Sequence, residues 1–300
     1  MLQAEPAPGV LYLVGTPIGN LGDLSPRARQ LLSGVDLIAC EDTRRSGLLL
    51  HQLGLRDRPE GIGARLISFH QHNQATRIPE LLAALEAGQS LAVVSDAGLP
   101  GISDPGEELV AAARAAELPV ICVPGPSAVT TALVSSGLPT GRFCFEGFLP
   151  AKASGRRARL GELAGETRTV VLFEAPHRLV ELLQDLLELL GDRPLRVARE
   201  LTKRHEEQVG PTVSAALAHF GQTPPQGECT LVLGGAAPQQ IPSWSEAELR
   251  AELEALLAQG LSRREAARTL AERSGHNKRE LYALLHNGRS DGLVGGTAPQ

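Results

Sequence analysis

The sequence contains few aromatic residues, only four cysteines and no long apolar run. Aromatic side chains make up 3% of the 300 residues, which argues against a surface that binds single-stranded nucleic acid mainly by stacking its bases. Cys40, Cys122, Cys144 and Cys229 are scattered without a Cys-x-x-Cys pair and predict buried thiols. The apolar runs are too short to span a bilayer, and no basic-then-apolar segment opens the chain. We therefore expect a cytoplasmic protein that does not contact a membrane.

The charge is weakly acidic overall but basic near the C-terminus. A formal net charge of −5 argues against non-specific binding of nucleic acid. Between Ser262 and Arg289, however, seven basic residues stand against three glutamates. This local charge favours a defined contact with an anionic partner, and a solvated helical face is the alternative.

Three apolar runs in the first half each lead into a glycine-rich turn and then into a helical pattern. The turns are residues 15–20, 96–106 and 124–128. Glycine lets the backbone turn tightly and approach a ligand closely, and ligands of open α/β sheets bind beyond the carboxyl ends of the strands. The three turns therefore predict one crevice for a small molecule, with plain tight turns as the alternative.

Strand-like and helical runs alternate along the first half of the chain, which predicts a mainly parallel sheet with helices on both faces. The predicted strands are 10–14, 35–39, 66–69, 91–95 and 120–123, and the predicted helices are 26–32, 48–53, 78–85 and 107–116. A second α/β domain with a more antiparallel sheet is expected from strands 143–148, 169–173, 195–199, 209–213 and 229–233 and a helix over 179–190.

A short purely helical region follows a linker of glycine, alanine and proline at 234–238. Ser245-x-x-Glu248 and Ser262-x-x-Glu265 are capping boxes, and Asn277-x-x-Glu280 is a close variant. Three short helices are therefore expected, the last two forming a helix-turn-helix-like hairpin. The predicted domains are 10–124, 125–237 and 245–289.

Eight motifs follow one another between residues 10 and 235. They are Thr16-Pro-Ile-Gly-Asn-Leu21, Glu41-Asp-Thr-Arg44, Ser95-Asp-Ala-Gly98, Pro124-Gly-Pro-Ser-Ala128, Phe145-Glu-Gly-Phe-Leu-Pro150, Glu174-x-x-His-Arg178, Ala198-Arg-Glu-Leu-Thr-Lys203 and Gly227-Glu228. Together they resemble the tetrapyrrole-methylase-type (class III) S-adenosylmethionine methyltransferases. More narrowly, they resemble the ribosomal RNA small-subunit methyltransferase I family, which methylates the ribose 2'-hydroxyl of a cytidine in 16S rRNA. Tetrapyrrole methylases proper usually carry Gly-Pro-Gly-Asp in the first loop, and the different sequence here favours the RNA branch.

The resemblance implies two α/β domains with S-adenosylmethionine in the cleft between them, a small C-terminal helical domain and a homodimer that acts on 16S rRNA of the small ribosomal subunit. A carboxylate such as Asp96 suits the cationic cofactor, although a turn cap is the structural alternative. Cys229 or Thr230 would be additional contacts. The implied cofactor-binding residues are Gly15, Thr16, Pro17, Ile18, Asp96, Gly98, Leu99, Ser127, Ala128, Glu174 and Leu201.

Methyl transfer depends strongly on positioning, so a general base is optional. The candidates for base or electrostatic clamp are Glu200 and Lys203, and a surface ion pair is the alternative. Basic residues near the cleft motifs, in a predicted loop after Pro150 and in the helical tail are expected to contact RNA phosphates. They are Arg44, Arg45, Lys152, Arg156, Arg157, Arg264, Arg268, Lys278 and Arg279.

No metal is expected, because the pair His70-x-His72 would need a third ligand. A dinucleotide oxidoreductase would want Gly-x-Gly-x-x-Gly early in the chain, which residues 15–20 do not supply. Two alternatives stay open at this point: a methylase of a small tetrapyrrole, and a ribosome-assembly factor without catalysis.

Overall fold

The computed structural model describes residues 5–55, 63–237 and 244–285. The chain divides after Ala236 into two compact units. The first contains two five-stranded sheets, and the second contains only helices within the described residues. Every helix in the described ranges is too short or too polar to cross a membrane.

The first sheet is built from five four-residue strands, of which only the third contains a charged side chain. They are β1 (Leu11–Val14), β2 (Leu37–Cys40), β3 (Arg65–Ser68), β4 (Leu91–Val94) and β5 (Val120–Val123). Their order is β3-β2-β4-β1-β5, and every pairing is parallel. The predicted parallel sheet is confirmed, and the carboxyl ends of all five strands meet at one edge.

Helices cover both faces of this sheet, as predicted. They are α1 (Pro26–Leu32), α2 (Thr43–Gln52), α3 (Gln74–Glu86) and α4 (Glu107–Ala115). Alternate strand residues pack against α1 and α2 on one face and against α3 and α4 on the other. The helix predicted over 48–53 begins earlier, at Thr43, because the Asp42 side chain accepts a hydrogen bond from the Arg44 backbone N–H and caps it.

The second sheet is mixed. Its strands are β6 (Phe143–Phe148), β7 (Thr169–Glu174), β8 (Leu195–Arg199), β9 (Glu207–Val209) and β10 (Cys229–Leu233). The order is β6-β7-β10-β8-β9, with only the β6 and β7 pair parallel. The more antiparallel character predicted for this half is confirmed.

Four helices accompany the second sheet. They are α5 (Ala128–Ser135), α6 (Ala153–Glu162), α7 (Leu179–Leu190) and α8 (Val213–Gln222). Helix α5 packs on one face, and α6, α7 and α8 pack on the other around a leucine-rich core.

Two local predictions in this half are wrong. The strand predicted over 209–213 ends at Val209, and Val213 opens α8 because the Thr212 side chain accepts a hydrogen bond from the Ala215 backbone N–H. The basic loop predicted after Pro150 is helix α6, whose Leu160 is buried in the core of this half.

The second unit consists of α9 (Glu246–Ala258), α10 (Arg263–Ser274) and α11 (Lys278–Leu284). Both predicted capping boxes, at Ser245 and Ser262, are present with reciprocal hydrogen bonds. Helix α10 ends at Ser274 and is capped by Gly275, which adopts a left-handed conformation. Helix α11 follows after Asn277 and completes the predicted hairpin. Residues 286–289 of the predicted extension lie outside the described residues.

Candidate active site

The three glycine-rich turns follow β4, β1 and β5, which are neighbours in the sheet. Backbone hydrogen bonds join the turns directly: the Thr16 N–H donates to the Gly98 carbonyl at 2.9 Å, and the Gly98 N–H donates to the Thr16 carbonyl at 3.1 Å. The buried Thr16 hydroxyl donates to the carbonyls of Ser95 and Gly98. The predicted convergence of the turns at one edge is therefore present, and Thr16 holds two of them together.

Two of the glycines touch each other across the first and third turns. A Cβ built on Gly15 would lie 2.7 Å from the Cα of Gly125, a distance that no side chain tolerates. Gly98 in the second turn has φ +91°, a conformation that favours glycine. The glycines therefore shape the turns by close backbone approach.

The first turn also reaches the second sheet. A Cβ on Gly19 would lie 2.5 Å from Lys203 Cγ and 2.8 Å from the Leu201 carbonyl oxygen. Ile18 packs against the cluster that contains Leu201 and Val129. The turn after β1 is thus packed against the segment that follows β8.

A cleft of about 420 Å³ lies between these segments. Its volume is within the range of about 300–1,000 Å³ that is usual for small-ligand pockets. The cleft is strongly acidic, because five carboxylates and only two cations line it. The lining residues are Ile18, Glu41, Arg45, Asp96, Ala97, Asp104, Ala128, Phe173, Glu200, Leu201, Lys203, Glu228 and Thr230.

Asp96 offers an unpartnered atom in this cleft. Its Oδ2 accepts a hydrogen bond from Arg45 Nη1 at 2.9 Å, while its Oδ1 is buried without a hydrogen-bond partner among the described residues. A buried carboxylate oxygen without a partner is costly, and a cationic ligand relieves that cost. Neither oxygen caps a turn in the described structure, so the capping alternative has no support there.

Asp104 also lines the cleft. Burial, together with the negative charges of Glu41, Asp96 and Glu228, raises the pKa of Asp104 to about 6, although a hydrogen bond with Ser95 opposes the shift. The carboxyl group is therefore partly protonated near neutral pH, and a bound cation would favour its ionised form.

Glu200 and Lys203 lie in a tight turn that also lines the cleft. Glu200 and Thr202 have φ angles of +51° and +66°, which are uncommon for residues other than glycine. The Lys203 ammonium donates a hydrogen bond to Glu200 Oε1 at 2.8 Å, and a Cβ on Gly227 would overlap that same oxygen. Backbone strain of this kind is concentrated at functional sites.

The structure brings most of the predicted site residues to this region. Ile18, Asp96, Ala128, Glu200, Leu201 and Lys203 line the cleft. Gly15, Thr16 and Gly98 fix the turns, and Pro17 lines a neighbouring cavity. Leu99 and Ser127 lie in the second and third turns without lining the cleft.

The Glu174 side chain does not face the cleft. Successive side chains of a strand point to opposite faces, and Phe173 lines the cleft while Leu172 packs in the core on the far side. Glu174 follows Leu172 to that side, where it is fully buried and forms an ion pair with Arg178 at 3.2 Å. Burial raises the pKa of its carboxyl group. Only its backbone remains a candidate for ligand contact.

Sequence reasoning did not assign Glu41, Asp104, Phe173 and Glu228 to the site, although they line the cleft. A signal was present, because Glu41 and Glu228 belong to the recognised motifs and Asp104 lies in the second glycine-rich turn. Arg45, predicted to contact RNA, also lines the cleft. Thr230 faces it, whereas its neighbour Cys229 is buried in the core.

A second cavity of about 360 Å³ adjoins the first and shares Arg45 and Asp96 with it. The remaining lining residues come from the first turn, from helix α2 and from the end of β4. They are Pro17, Gly19, Leu21, Ser46, Leu49, Gln52 and Ser95.

The predicted RNA-contacting residues fall into two groups. Exposed residues are Arg44, Arg45, Lys152, Arg264, Arg268, Lys278 and Arg279. Arg156, by contrast, is 3% exposed and donates to Asp185 at 2.7 Å, and Arg157 donates to Asp185 and Glu188. These two arginines hold α6 on α7; Arg156 is too buried to contact a phosphate, whereas the Arg157 side chain is 36% exposed but engaged by two carboxylates.

The His70 and His72 rings lie in an edge-on contact with centroids 5.9 Å apart. Within the described ranges, no group of three or more histidine, cysteine or acidic residues is arranged to hold a metal ion.

The two-sheet fold and the cleft define the class of protein. Residues 10–218 match the family of Tetrapyrrole (Corrin/Porphyrin) Methylases. A cobalt precorrin-4 methyltransferase superposes with a TM-score of 0.55 at 17% identity, over 75% of this chain and 95% of that one. A uroporphyrin-III C-methyltransferase from Thermus thermophilus, complexed with S-adenyl homocysteine, gives 0.50 at 22% identity over 75% and 96% of the two chains. The chain belongs to the tetrapyrrole methylase family, and the predicted fold class is confirmed.

Closer relatives identify the branch of that family. A protein of Synechocystis named ribosomal RNA small subunit methyltransferase I is 52% identical over 95% of this chain and 100% of its own length. The proteins of that name from Escherichia coli O157:H7 and Mycobacterium tuberculosis are 44% and 46% identical over 93% and 95% of this chain and 96% and 97% of their own lengths. The chain therefore belongs to the ribosomal RNA small subunit methyltransferase I family, as its motifs suggested.

Proposed function

We propose that this protein is an S-adenosylmethionine-dependent methyltransferase that methylates the ribose 2'-hydroxyl of a cytidine in 16S rRNA of the small ribosomal subunit. The observation that carries the proposal is the acidic cleft at the joined turns, with the unpartnered Oδ1 of Asp96 inside it, in a chain of this family. Binding to the ribosomal subunit in the cytoplasm as a homodimer is part of the same proposal.

The cleft residues fit S-adenosylmethionine, which supplies a methyl group from a cationic sulfonium when bound. Asp96 is the candidate partner for its positive charge, and the acidic wall adds to that attraction. Ile18, Leu201 and Phe173 offer apolar contacts for a nucleoside. Gly15, Thr16, Pro17 and Gly98 contribute by shaping the turns, and Leu99, Ser127, Ala128 and the Glu174 backbone are further candidate contacts.

The reaction requires the ribose oxygen to attack the methyl carbon as the carbon–sulfur bond breaks, and the hydroxyl proton must leave. We assign the positioning of that hydroxyl to the strained turn that carries Glu200 and Lys203. Because Lys203 is hydrogen-bonded to Glu200, the pair acts best as a unit that orients the acceptor and balances charge. A more specific form of this proposal is that Glu200 or Lys203 alone acts as the general base and accepts the hydroxyl proton.

We propose an RNA track formed by exposed cations, because phosphate contacts dominate the affinity of RNA-binding proteins. Arg44, Arg45 and Lys152 are the candidates in the first unit. We propose that this unit consists of two domains, residues 10–124 and 125–237, each built around one of the two sheets. The helical extension, proposed as residues 245–289, contributes Arg264, Arg268, Lys278 and Arg279.

The test is transfer of radiolabelled methyl from S-adenosylmethionine to undermethylated 30S subunits, with the product mapped by nuclease digestion and mass spectrometry. Wild type should give one 2'-O-methylcytidine, and Asp96→Ala should lose it. Glu86→Ala, which removes an exposed carboxylate at the end of α3, is the matched control and should retain the product. Cofactor binding without label on subunits or on naked 16S rRNA would refute the RNA assignment and point to a small-molecule acceptor.

A further inference from the structure

The second cavity differs from the acidic cleft in charge. One anion and one cation line it, Asp96 and Arg45, and they pair with each other. The acidic cleft has five carboxylates against two cations. An RNA phosphate is repelled by the carboxylates, so an RNA acceptor reaches the site most favourably from the side of the second cavity.

The lining of the second cavity suits a nucleoside. Pro17, Leu21 and Leu49 provide apolar surface against which a base can lie, and Leu21 is 42% exposed. The Gln52 amide offers both a donor and an acceptor, which is what recognition of a base edge requires. The volume of about 360 Å³ is in the usual range for a small-ligand pocket.

Arg45 connects the two cavities. Its side chain is 72% exposed and forms an ion pair with Asp96 at 2.9 Å. Because the Arg45 guanidinium is largely solvated, it separates from Asp96 at little cost. Arg44, exposed and next in the chain, adds a second cation on the same helix.

We propose that the second cavity is the acceptor site, where the base of one nucleotide binds while its ribose reaches the adjoining turn of Glu200 and Lys203, because Gly19 of the cavity lining lies against Lys203 Cγ. Arg45 then leaves Asp96 to hold the nucleotide's phosphate when Asp96 binds the cationic cofactor. This inference rests on the proposed function and deepens it. The cofactor cation binds at the unpartnered Oδ1 of Asp96, close to the guanidinium on Oδ2, and repulsion between the two cations weakens the Arg45 ion pair. The released guanidinium gains a phosphate, with which it forms stronger two-point hydrogen bonds.

The exchange couples the two ligands. With the cofactor bound, Arg45 is free, so the affinity for RNA rises; with RNA bound, Asp96 is free, so the affinity for the cofactor rises by the same factor. Coupling of this kind is typically at least about fivefold. The cofactor is therefore expected to bind first, because the cofactor-loaded enzyme binds the subunit tightly and the empty enzyme binds it weakly.

The test measures binding of undermethylated 30S subunits at fixed salt, with and without saturating sinefungin, a cationic cofactor analogue that cannot transfer methyl. Wild type should bind about fivefold more tightly with sinefungin. Asp96→Asn should bind 30S tightly without sinefungin and show no further gain. Arg45→Ala should bind weakly in both conditions, whereas the matched control Arg44→Ala should bind more weakly but keep the wild-type ratio.

Gln52→Leu tests the cavity separately, and it should weaken 30S binding while leaving the Kd for sinefungin unchanged. An Arg45→Ala protein that keeps the wild-type ratio, or a Gln52→Leu protein that binds 30S normally, would overturn the inference. Measuring methyl transfer with the same wild-type preparation distinguishes a failure of this inference from a failure of the proposed function. If wild type methylates 30S but shows no coupling, the inference fails and the proposed function stands; if it neither methylates 30S nor binds sinefungin, both fail.

Discussion

At the scale of single residues, the cleft collects carboxylates that are far apart in the sequence. Glu41 follows β2, Asp104 follows β4 and Glu228 precedes β10, yet all three face one cavity. Their mutual repulsion destabilises the folded protein, but the same negative charges attract a cation to the site. Asp104 shows that cost most directly, because burial and its acidic neighbours raise its pKa to about 6.

Asp104 should therefore make the protein less stable as the pH rises. Its pKa rises from 3.8 in the unfolded chain to about 6 in the fold, so the folded state binds more protons between these values and loses stability as the pH rises through them. We expect Asp104→Asn to raise the Tm at pH 7.5 and to have little effect near pH 4. Thermal melts from pH 4 to 8 measure this, with Glu86→Gln as the control.

At the scale of elements, basic residues in helix α6 stabilise its packing on α7. Arg156 and Asp185 are 3% and 8% exposed, and Arg157 approaches the same carboxylate at 2.6 Å. Burial acts to raise the pKa of Asp185, but the hydrogen bonds from both arginines hold it below its ordinary value. The stabilisation from this ion pair is therefore present at neutral pH and lost as the pH falls through the lowered pKa.

Removing one member of this pair should destabilise the fold without changing the affinity for RNA. Asp185→Leu leaves Arg156 buried without its closest partner and should cost about 3 kcal/mol, whereas Arg156→Met with Asp185→Leu should recover most of that loss. Urea unfolding of the single and double variants gives the free energies. Loss of 30S affinity in a folded Arg156→Met protein would instead return Arg156 to the RNA track.

At the scale of the whole molecule, the chain has two compact units with separate cores. Helices α9, α10 and α11 pack around their own leucines and alanines, among them Leu253, Ala267 and Leu281. The acidic cleft is built from residues of the first unit. Removing the second unit should therefore leave cofactor binding intact and remove a large part of RNA binding.

A chain that ends at residue 236 should fold, bind sinefungin like the full-length protein and fail to methylate 30S subunits. Its RNA affinity should also fall less steeply with salt. If the four proposed cations of the extension each contact a phosphate, the slope of log K against log salt should decrease by about 3. Filter binding over a salt series measures this slope, and full methylation by the truncated chain would contradict the proposed role of the extension.

Local signals in the sequence were sufficient for much of the fold. The bounds of α1, α7, β6 and β10 agree with prediction to the residue, because capping residues, prolines and apolar runs act within a few positions of the chain. The same holds for the capping boxes at Ser245 and Ser262. The three glycine turns were also recognisable, since tight turns and close backbone approach require glycine.

Only the tertiary structure decided which side chains share an environment. Arg156 looked like a surface cation because Asp185, its partner, is 29 positions away. Glu174 looked like a cleft residue, but the packing of the second sheet turns the Phe173 face of β7 to the cleft, and the alternation of the strand places the Glu174 side chain on the opposite face. Local propensity sets elements and turns over a few residues, whereas charge pairing, strand register and the meeting of distant loops depend on contacts between segments that only the folded chain brings together.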